Sequence, residues 1–294
     1  MHILLTGGTG FIGEALVPSL LNQGHELTIL SRSHHSDTEG CRYIRTLDAL
    51  ADDERIDAVI NLAGASLAGA RWTASYKREI VDSRLETTRQ LVDCMQRLQV
   101  PPGVLLNASA IGYYGHGDHP VTEADDAGEG FSADLCRRWE ASASHAEALG
   151  TRVCLCRFGV VLDAGGGAFE ELFRPFRFGL ANWIGNGEQW LSWVHRSDVV
   201  AALTFLLEDG SLSGAFNVTA PQPVTARGMC DAIKQHRKTL LTAPVPATVM
   251  RVMLGEMADE LLINGQKVLP QRLTNSGFTF SYPHIDDALR AILA

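Results

Sequence analysis

The chain has 294 residues, of which 46% are hydrophobic and 20% are charged. This balance is typical of a globular protein and excludes extensive disorder, and the length fits two domains or one large α/β unit. The formal charge is −9, and the 25 basic residues are scattered. Because duplex binding needs a concentrated basic surface, we expect no nucleic-acid partner.

The N-terminus enters an apolar strand pattern at once, and no apolar run reaches the roughly 18 residues that a transmembrane helix needs. We therefore expect a soluble, cytoplasmic protein without a membrane partner. The six cysteines form no CxxC motif and no zinc-type Cys/His cluster. They are interpreted as buried thiols in a reducing compartment, and no metal site is predicted.

Strand and helix patterns alternate from the N-terminus as far as Gly159. The predicted strands cover residues 3–6, 27–30, 42–45, 58–62, 104–109 and 152–158. The predicted helices cover residues 11–23, 72–98 and 131–149. This alternation indicates parallel pairing with right-handed crossovers, so the fold class is α/β, with a Rossmann-type doubly wound parallel sheet.

After Gly159 the pattern becomes irregular, with a Gly165-Gly166-Gly167 run and, from about residue 221, frequent prolines. We predict a nucleotide-binding domain over 1–164, with 191–220 returning to it, because 215–218 reads as a further strand of the main sheet. A smaller, α+β C-terminal region on the substrate side is predicted to comprise 165–190 and 221–294.

A glycine-rich turn directly follows the first strand and opens the first helix. Its residues are Thr6, Gly7, Gly8, Thr9, Gly10, Phe11, Ile12 and Gly13. Gly7 permits the tight turn, Gly10 lets the backbone approach a pyrophosphate, and Gly13 allows close packing of helix and strand. N–H groups of the first helical turn would then face the anion. The alternative is a glycine-rich turn that binds no nucleotide.

The end of the second strand distinguishes the two nicotinamide cofactors. An acidic residue there would bind the ribose 2′-hydroxyl, whereas an arginine would bind a 2′-phosphate. The sequence places Ser31 and Arg32 at this position, and no acidic residue occurs before Asp37. We therefore predict NADP(H), although Arg32 could instead be a solvated surface charge.

With that turn, the chain resembles the extended short-chain dehydrogenases/reductases, and within them the atypical "epimerase family" branch of nucleoside-diphosphate-sugar epimerase-like proteins. The resemblance covers essentially the whole chain. It rests on Asn61–Gly64, Ser109–Gly115, Arg157–Leu162, Leu191–His195, Asn217–Pro221 and a C-terminal stretch from Pro246 to Phe280.

The resemblance implies further cofactor contacts beyond the turn and the Ser31–Arg32 pair. The residues that match are Leu62, Ala63 and Gly64 beneath the adenosine, Glu79 and Arg84 on the long helix, and Ser109, Gly159 and Val160 at the nicotinamide end. From the residues alone, Glu79 and Arg84 would be interpreted as solvated helix charges.

The family's usual Tyr-x-x-x-Lys pair is missing, since no tyrosine is followed by a lysine four residues later. When the helix predicted over 131–149 is aligned by Glu140, Ser132 and Cys136 occupy those two positions. In the family, the lysine lowers the phenol's pKa so that it can exchange a proton with the substrate. A serine without a supporting cation cannot replace that phenol.

Four residues remain as candidates for substrate chemistry. Ser109 lies at a strand end, where a substrate oxygen could meet the nicotinamide. Tyr113 and Tyr114 follow and could donate a proton, or could simply pack in the loop. His195 titrates near neutrality, or could be a structural histidine between the two regions.

Two functional hypotheses follow: an NADP(H)-dependent oxidoreductase or epimerase-like enzyme acting on a small carbonyl or hydroxyl compound, and a catalytically silent NADP(H)-binding sensor or scaffold. A true sugar-nucleotide epimerase ranks last, because it usually needs the missing pair and tightly held NAD. By analogy with related proteins, the helices over 72–98 and 131–149 are candidates for a homodimer face.

Overall fold

The computed structural model describes residues 1–294 and contains fifteen strands. They are β1 (His2–Thr6), β2 (Glu26–Leu30), β3 (Cys41–Ile44), β4 (Ala58–Asn61), β5 (Val104–Ala110), β6 (Gly117–Val121), β7 (Arg152–Phe158), β8 (Val160–Leu162), β9 (Leu180–Ile184), β10 (Trp190–Leu191), β11 (Trp193–His195), β12 (Gly214–Val218), β13 (Val224–Thr225), β14 (Leu241–Val245) and β15 (Gln266–Val268). Seven of them form one sheet in the order β12-β7-β5-β4-β1-β2-β3. Every neighbouring pair in that sheet is parallel.

Ten α-helices accompany these strands. They are α1 (Gly13–Asn22), α2 (Ala74–Arg97), α3 (Phe131–Ser144), α4 (Gly167–Phe173), α5 (Arg196–Glu208), α6 (Ala226–His236), α7 (Ala247–Leu254), α8 (Glu256–Ala258), α9 (Gln271–Asn275) and α10 (Ile285–Leu293). Short 3₁₀ segments extend several elements, and a π-helical turn covers Asp259–Ile263. None of the helices combines the length and the apolar content that a bilayer crossing requires.

Alternation along the buried strands directs side chains to two helical layers. In β1, Ile3 and Leu5 share a core cluster with Leu16 of α1 and Leu203 of α5. Leu4, between them, belongs to the opposite cluster with residues of α2 and α3. Because successive strand residues point to opposite faces, both faces of the sheet are covered by helices. This confirms the predicted α/β fold with a Rossmann-type doubly wound sheet.

The remaining strands pair two by two outside the main sheet: β8 with β11, β9 with β14, β10 with β13, and β6 with β15. The Leu191–Val194 stretch of sequence looks like one strand, but the structure divides it between two short strands, β10 and β11, which have different partners. They separate at Ser192, whose hydroxyl donates to the Gln266 carbonyl and accepts from the Val268 N–H. The residues around 214–218 form β12, which lies at the edge of the main sheet beside β7.

Candidate functional site

The glycine turn joins β1 to α1 in a conformation that excludes side chains. Gly7 has a φ of +71°, and a Cβ there would lie 2.7 Å from the Leu62 carbonyl carbon. A Cβ at Gly13 would lie 2.3 Å from the Gly7 carbonyl oxygen. No side chain caps the N-terminus of α1, and Thr9 and Gly10 are exposed. The Glu14 and Ala15 N–H groups donate to backbone carbonyls, whereas those of Phe11, Ile12 and Gly13 have no backbone acceptor and remain available to an anion.

Buried hydrogen bonds fix the strand ends beneath this turn. Thr6 Oγ1 donates to Asn61 Oδ1 at 2.6 Å, and the Ala63 N–H donates to Thr6 Oγ1 at 3.2 Å. Asn61 Nδ2 donates to Asn107 Oδ1 at 2.7 Å and to Thr88 Oγ1 at 2.9 Å. The ends of β1, β4 and β5 are thereby joined to α2, which holds the 62–64 segment against the turn.

Two cations lie at the end of β2. Ser31 is buried and its Oγ accepts from the Ser33 N–H at 3.3 Å, whereas the Arg32 side chain is exposed. Arg45 follows β3, and its guanidinium donates to the Arg32 carbonyl at 3.2 Å. Neither arginine forms an ion pair with a carboxylate. Sequence reasoning missed Arg45, although parallel pairing of β2 with β3 places the residues after both strands at one edge.

Arg84 lies behind the 62–64 segment without a carboxylate partner. A Cβ at Gly64 would lie 3.0 Å from Arg84 Cζ, and the guanidinium lies over the Trp139 ring at 5.2 Å. Its one hydrogen bond goes to the Ile80 carbonyl of its own helix. Burial lowers the pKa of Arg84. A half-buried cation without a carboxylate partner costs stability, and a bound anionic ligand would offset that cost. Glu79 is exposed on the same helix and forms no ion pair.

One face of α3 runs along the end of β5. Glu140 Oε1 accepts from Ser109 Oγ at 2.6 Å, and Cys136 Sγ donates to the Ala110 carbonyl at 3.5 Å. One turn earlier, Ser132 Cβ lies 3.0 Å from where a Cβ of Gly112 would stand. Burial raises the pKa of Cys136 to about 11, so this thiol is neutral. This face therefore carries neither a phenol nor an ammonium group.

Glu140 is the anion of a buried ion pair. Arg157 Nε and Nη2 donate to its two oxygens, each at 2.8 Å. Burial alone would lower the pKa of Arg157, but the bonds to Glu140 overcome this and raise it. Arg157 Nη1 also donates to the Tyr114 hydroxyl at 2.9 Å, which in turn donates to Asn217 Oδ1 at 2.7 Å. Burial raises the pKa of Tyr114 to about 12, so its hydroxyl is committed within the protein.

Tyr113 differs from its neighbour. Its ring lies beneath the Arg157 guanidinium, with 3.4 Å from Cζ to the ring centroid, and meets the Tyr114 ring edge-on at 5.3 Å. The side chain is half-buried, and its hydroxyl bonds to no protein group. Of the two tyrosines, Tyr113 is therefore the one with a phenol free to contact a ligand.

His195 lies at the start of α5. Its Nδ1 accepts from the Ser197 N–H at 3.2 Å and contacts Ser197 Oγ at 2.7 Å, while its ring packs on Tyr282 at 4.1 Å between centroids. Burial lowers the pKa of His195 and favours the neutral ring. These contacts are those of a helix cap between the sheet and the C-terminal region.

At the end of β7 the chain leaves the main sheet. The Gly159 N–H donates to the Val218 carbonyl at 3.1 Å, and the Val160 N–H donates to the Ser192 carbonyl at 2.9 Å. A Cβ at Gly159 would lie 2.7 Å from the Ser192 oxygen, so only glycine fits. These two residues therefore lie at the crossover from β7 to β8, beyond the carboxyl end of the sheet.

A further residue, Arg196, was missed by sequence reasoning. Its guanidinium pairs with Asp163 at 2.6 Å, donates to the Phe11 carbonyl at 3.2 Å and lies 4.6 Å from the Phe11 ring centroid. Arg196 thus holds the glycine turn from the side of α5. A pair this distant in sequence leaves no local signal by which it could have been found.

A parallel doubly wound sheet with an uncapped glycine turn at the carboxyl end of its first strand defines a nucleotide-binding protein of the Rossmann type. The chain belongs to the NAD dependent epimerase/dehydratase family, whose sequence model matches residues 3–219. A domain of unknown function, DUF1731, matches residues 245–292. The predicted family is therefore confirmed.

Three similar proteins illustrate this membership. Epimerase family protein YfhF of Bacillus subtilis is 38% identical, with 100% of this chain and 98% of that protein aligned. The human epimerase family protein SDR39U1, solved with NADPH, has a TM-score of 0.89 and 32% identity, covering 100% of this chain and 99% of that one. A nucleoside-diphosphate sugar epimerase from Corynebacterium glutamicum has a TM-score of 0.80 and 29% identity, covering 100% of this chain and 58% of that one. The NADP(H) prediction agrees with the cofactor in the human structure.

Proposed function

We propose that this protein is an NADP(H)-dependent oxidoreductase or epimerase-like enzyme acting on a small carbonyl or hydroxyl compound. The observation that carries the proposal is the glycine turn, whose uncapped helix start and absent side chains leave room for a pyrophosphate. The NADPH in the human relative supports the choice of cofactor.

The residues present fit such a cofactor. Thr6–Gly13 would hold the pyrophosphate, and Leu62–Gly64 would line the adenosine side. Ser31 and Arg32, joined by Arg45, would bind the 2′-phosphate through charge-assisted bonds. Arg84 would find in the cofactor the polar partner that the protein does not give it, and Gly159 and Val160 would lie toward the nicotinamide. The nicotinamide would accept or donate a hydride.

The proton chemistry is assigned to Tyr113. Among the four candidates, the Tyr114 hydroxyl both accepts and donates a hydrogen bond within the protein, and His195 caps α5. The Tyr113 hydroxyl has no partner in the protein. The Ser109 hydroxyl donates its hydrogen bond to Glu140, so its oxygen can accept a hydrogen bond from a substrate hydroxyl. Ser109 would therefore position the substrate, and Tyr113 would exchange the proton.

A second candidate, a catalytically silent NADP(H)-binding sensor, is favoured by a different observation. The α3 face beside β5 carries Ser132 and Cys136, so no phenol–ammonium pair lies there. Such a protein would bind cofactor through the same turn but would turn over no substrate.

Titration calorimetry tests the cofactor assignment. NADPH should bind with micromolar affinity, NADH should bind poorly, and Arg32→Ala should weaken NADPH binding at least tenfold, about 1.4 kcal/mol. Arg42→Ala is the matched control, because Arg42 already pairs with Glu54 at 3.2 Å. If neither nucleotide binds, both candidate functions fail together.

A carbonyl panel with NADPH separates the two candidates. Turnover that falls at least a hundredfold in Tyr113→Phe, but not in Tyr282→Phe, identifies an enzyme with Tyr113 as the proton donor. Tight NADPH binding without turnover of any compound in the panel favours the sensor.

A further inference from the structure

An exposed apolar surface lies on the C-terminal region, where β9 and β14 pair. Four large side chains there face solvent: Phe178 at 73% exposure, Leu180 at 42%, Leu240 at 92% and Leu241 at 59%. Exposed apolar side chains grouped in this way usually mark a contact with another protein or a membrane. We call this group the apolar tip.

Backbone contacts bring the four residues together although they come from two well-separated segments of the chain. Leu241 stands opposite Leu180 in the parallel register. The N–H groups of Leu240 and Leu241 both donate to the Gly179 carbonyl, at 2.7 and 3.2 Å. Gly179 has a φ of +74°, and a Cβ there would lie 3.1 Å from Leu240 Cγ. The tip is thus a built feature of the fold.

Cations flank the tip on both of its segments. Arg174 and Arg177 precede Phe178, and Arg237 and Lys238 precede Leu240, and all four are exposed. The first two contact Glu171 and Glu170 at 3.7 and 3.5 Å. Arg237 and Lys238 form no ion pair, and the Arg237 guanidinium lies 5.6 Å from the Phe173 ring centroid. Arg237 and Lys238 are therefore the two cations beside the tip that remain without a carboxylate partner, on a chain whose net charge is −9.

We propose that the apolar tip and its four flanking cations contact the surface of a membrane that contains anionic lipid. Side chains as exposed as Leu240 and Phe178 suit insertion among acyl chains. Arginine and lysine a few residues away would reach lipid phosphates. The expectation of no membrane partner rested on the absence of a spanning segment, and a surface contact needs none.

This proposal is independent of the cofactor assignment, and vesicle flotation tests it. One set of vesicles is phosphatidylcholine alone, and the other is phosphatidylcholine mixed with anionic phosphatidylserine. The unchanged protein should float with the phosphatidylserine vesicles at least five times more than with phosphatidylcholine alone. Raising the salt to about 0.5 M NaCl should weaken this binding, because it screens the attraction between the cations and the lipid phosphates.

Three double variants locate the contact. Phe178→Ser with Leu240→Ser, and Arg237→Gln with Lys238→Gln, should each reduce the bound fraction at least fivefold. Val252→Ser with Met253→Ser is the matched control, because these α7 side chains are 78% and 61% exposed but lie outside the tip. It should bind as the unchanged protein does.

Other results overturn the proposal. Protein that remains unbound with both kinds of vesicle shows that the tip is not a lipid contact. Equal losses in the α7 control and the tip variants place the contact elsewhere. The tip is instead an interface between copies if the protein binds no vesicles and its molar mass, measured by light scattering, falls on dilution. The Phe178/Leu240 double variant should then be a monomer.

Discussion

Two polar regions at the carboxyl end of the sheet differ in how completely their groups are paired. Around Glu140, the ion pair with Arg157 connects Ser109, Tyr114 and Asn217, and every one of these side chains has a partner. Around the glycine turn, the start of α1 has no cap and Arg84 has no carboxylate.

The difference separates a structural role from a ligand role. Buried polar groups that satisfy one another hold strands and helices together and need nothing from outside. Polar groups that the protein leaves unpaired at a partly exposed site need water or a ligand as their partner. We therefore assign the cofactor to the region with unpaired groups. The Glu140 network, which includes Ser109, is the support that orders Tyr113 and leaves the Ser109 oxygen able to accept one further hydrogen bond.

The largest expected effect comes from breaking the complete network. Glu140→Gln leaves the buried Arg157 guanidinium without its carboxylate, which should reduce the free energy of unfolding by about 3–5 kcal/mol. Urea unfolding measures this loss. Glu86→Gln is the control, because its partner Arg89 is an exposed i,i+3 neighbour on α2, and its unfolding midpoint should not change.

Glu140→Gln also tests the comparison between the two regions directly. The folded fraction of Glu140→Gln should keep its NADPH affinity within about threefold, since no atom of that ion pair lies in the turn. A loss of NADPH binding as large as the loss of stability would show that the two regions are not separate.

The next largest effect comes from filling the turn. Gly7 and Gly24 both have left-handed backbone angles, at φ +71° and +78°, but only Gly7 has backbone atoms where a Cβ would stand. Gly24→Ala should therefore cost about 1–2 kcal/mol of stability and leave NADPH binding unchanged. Gly7→Ala should cost more and weaken NADPH binding at least a hundredfold. Calorimetry and urea unfolding of both variants give the comparison, which equal effects would contradict.

Local sequence signals predicted the sheet and the turn, because both depend on neighbouring residues. Apolar runs fixed β1, β4, β5 and β7, and the glycine spacing fixed the turn between β1 and α1. The split at Ser192, by contrast, depends on Gln266 and Val268, which lie far along the chain in a different element. No local pattern carries such information.

The same limit applies to the site. Ser109 and the tyrosines could be named as candidates, but their order could not, because it depends on Arg157 and Glu140. Arg157, paired with Glu140, donates to the Tyr114 hydroxyl but contacts only the ring of Tyr113. The Tyr113 hydroxyl is therefore left without a protein partner. Arg196 was missed for a similar reason, since it acts through the Phe11 carbonyl, which is distant in the chain. Arg45, by contrast, could have been found, because the pairing of β2 with β3 places it beside Arg32.

A smaller effect is expected for the unpaired cation. Arg84→Gln should weaken NADPH binding by about 10- to 100-fold, or about 1.4–2.7 kcal/mol. The free energy of unfolding without cofactor should stay the same or rise, because a half-buried charge without a carboxylate partner has been removed. Arg89→Gln on the same helix is the control and should leave NADPH binding unchanged. Lower stability with normal binding would assign Arg84 to the structure instead.

The smallest effect concerns pH and the cap of α5. Burial holds the pKa of His195 below its ordinary value of 6.5, so the unfolded chain takes up a proton at this residue before the folded protein does. The stabilisation from the neutral ring is therefore complete above about pH 6.5 and is lost as the pH falls below it.

His195→Asn keeps an acceptor for the Ser197 N–H but does not titrate. Urea unfolding between pH 7.5 and 5 should show a shallower loss of stability in this variant than in the unchanged protein. His25, whose pKa burial also lowers, is present in both proteins and cancels from the difference. Parallel curves would mean that His195 takes up its proton in the folded state as readily as in the unfolded chain, which would return it to the candidates for proton transfer beside Tyr113.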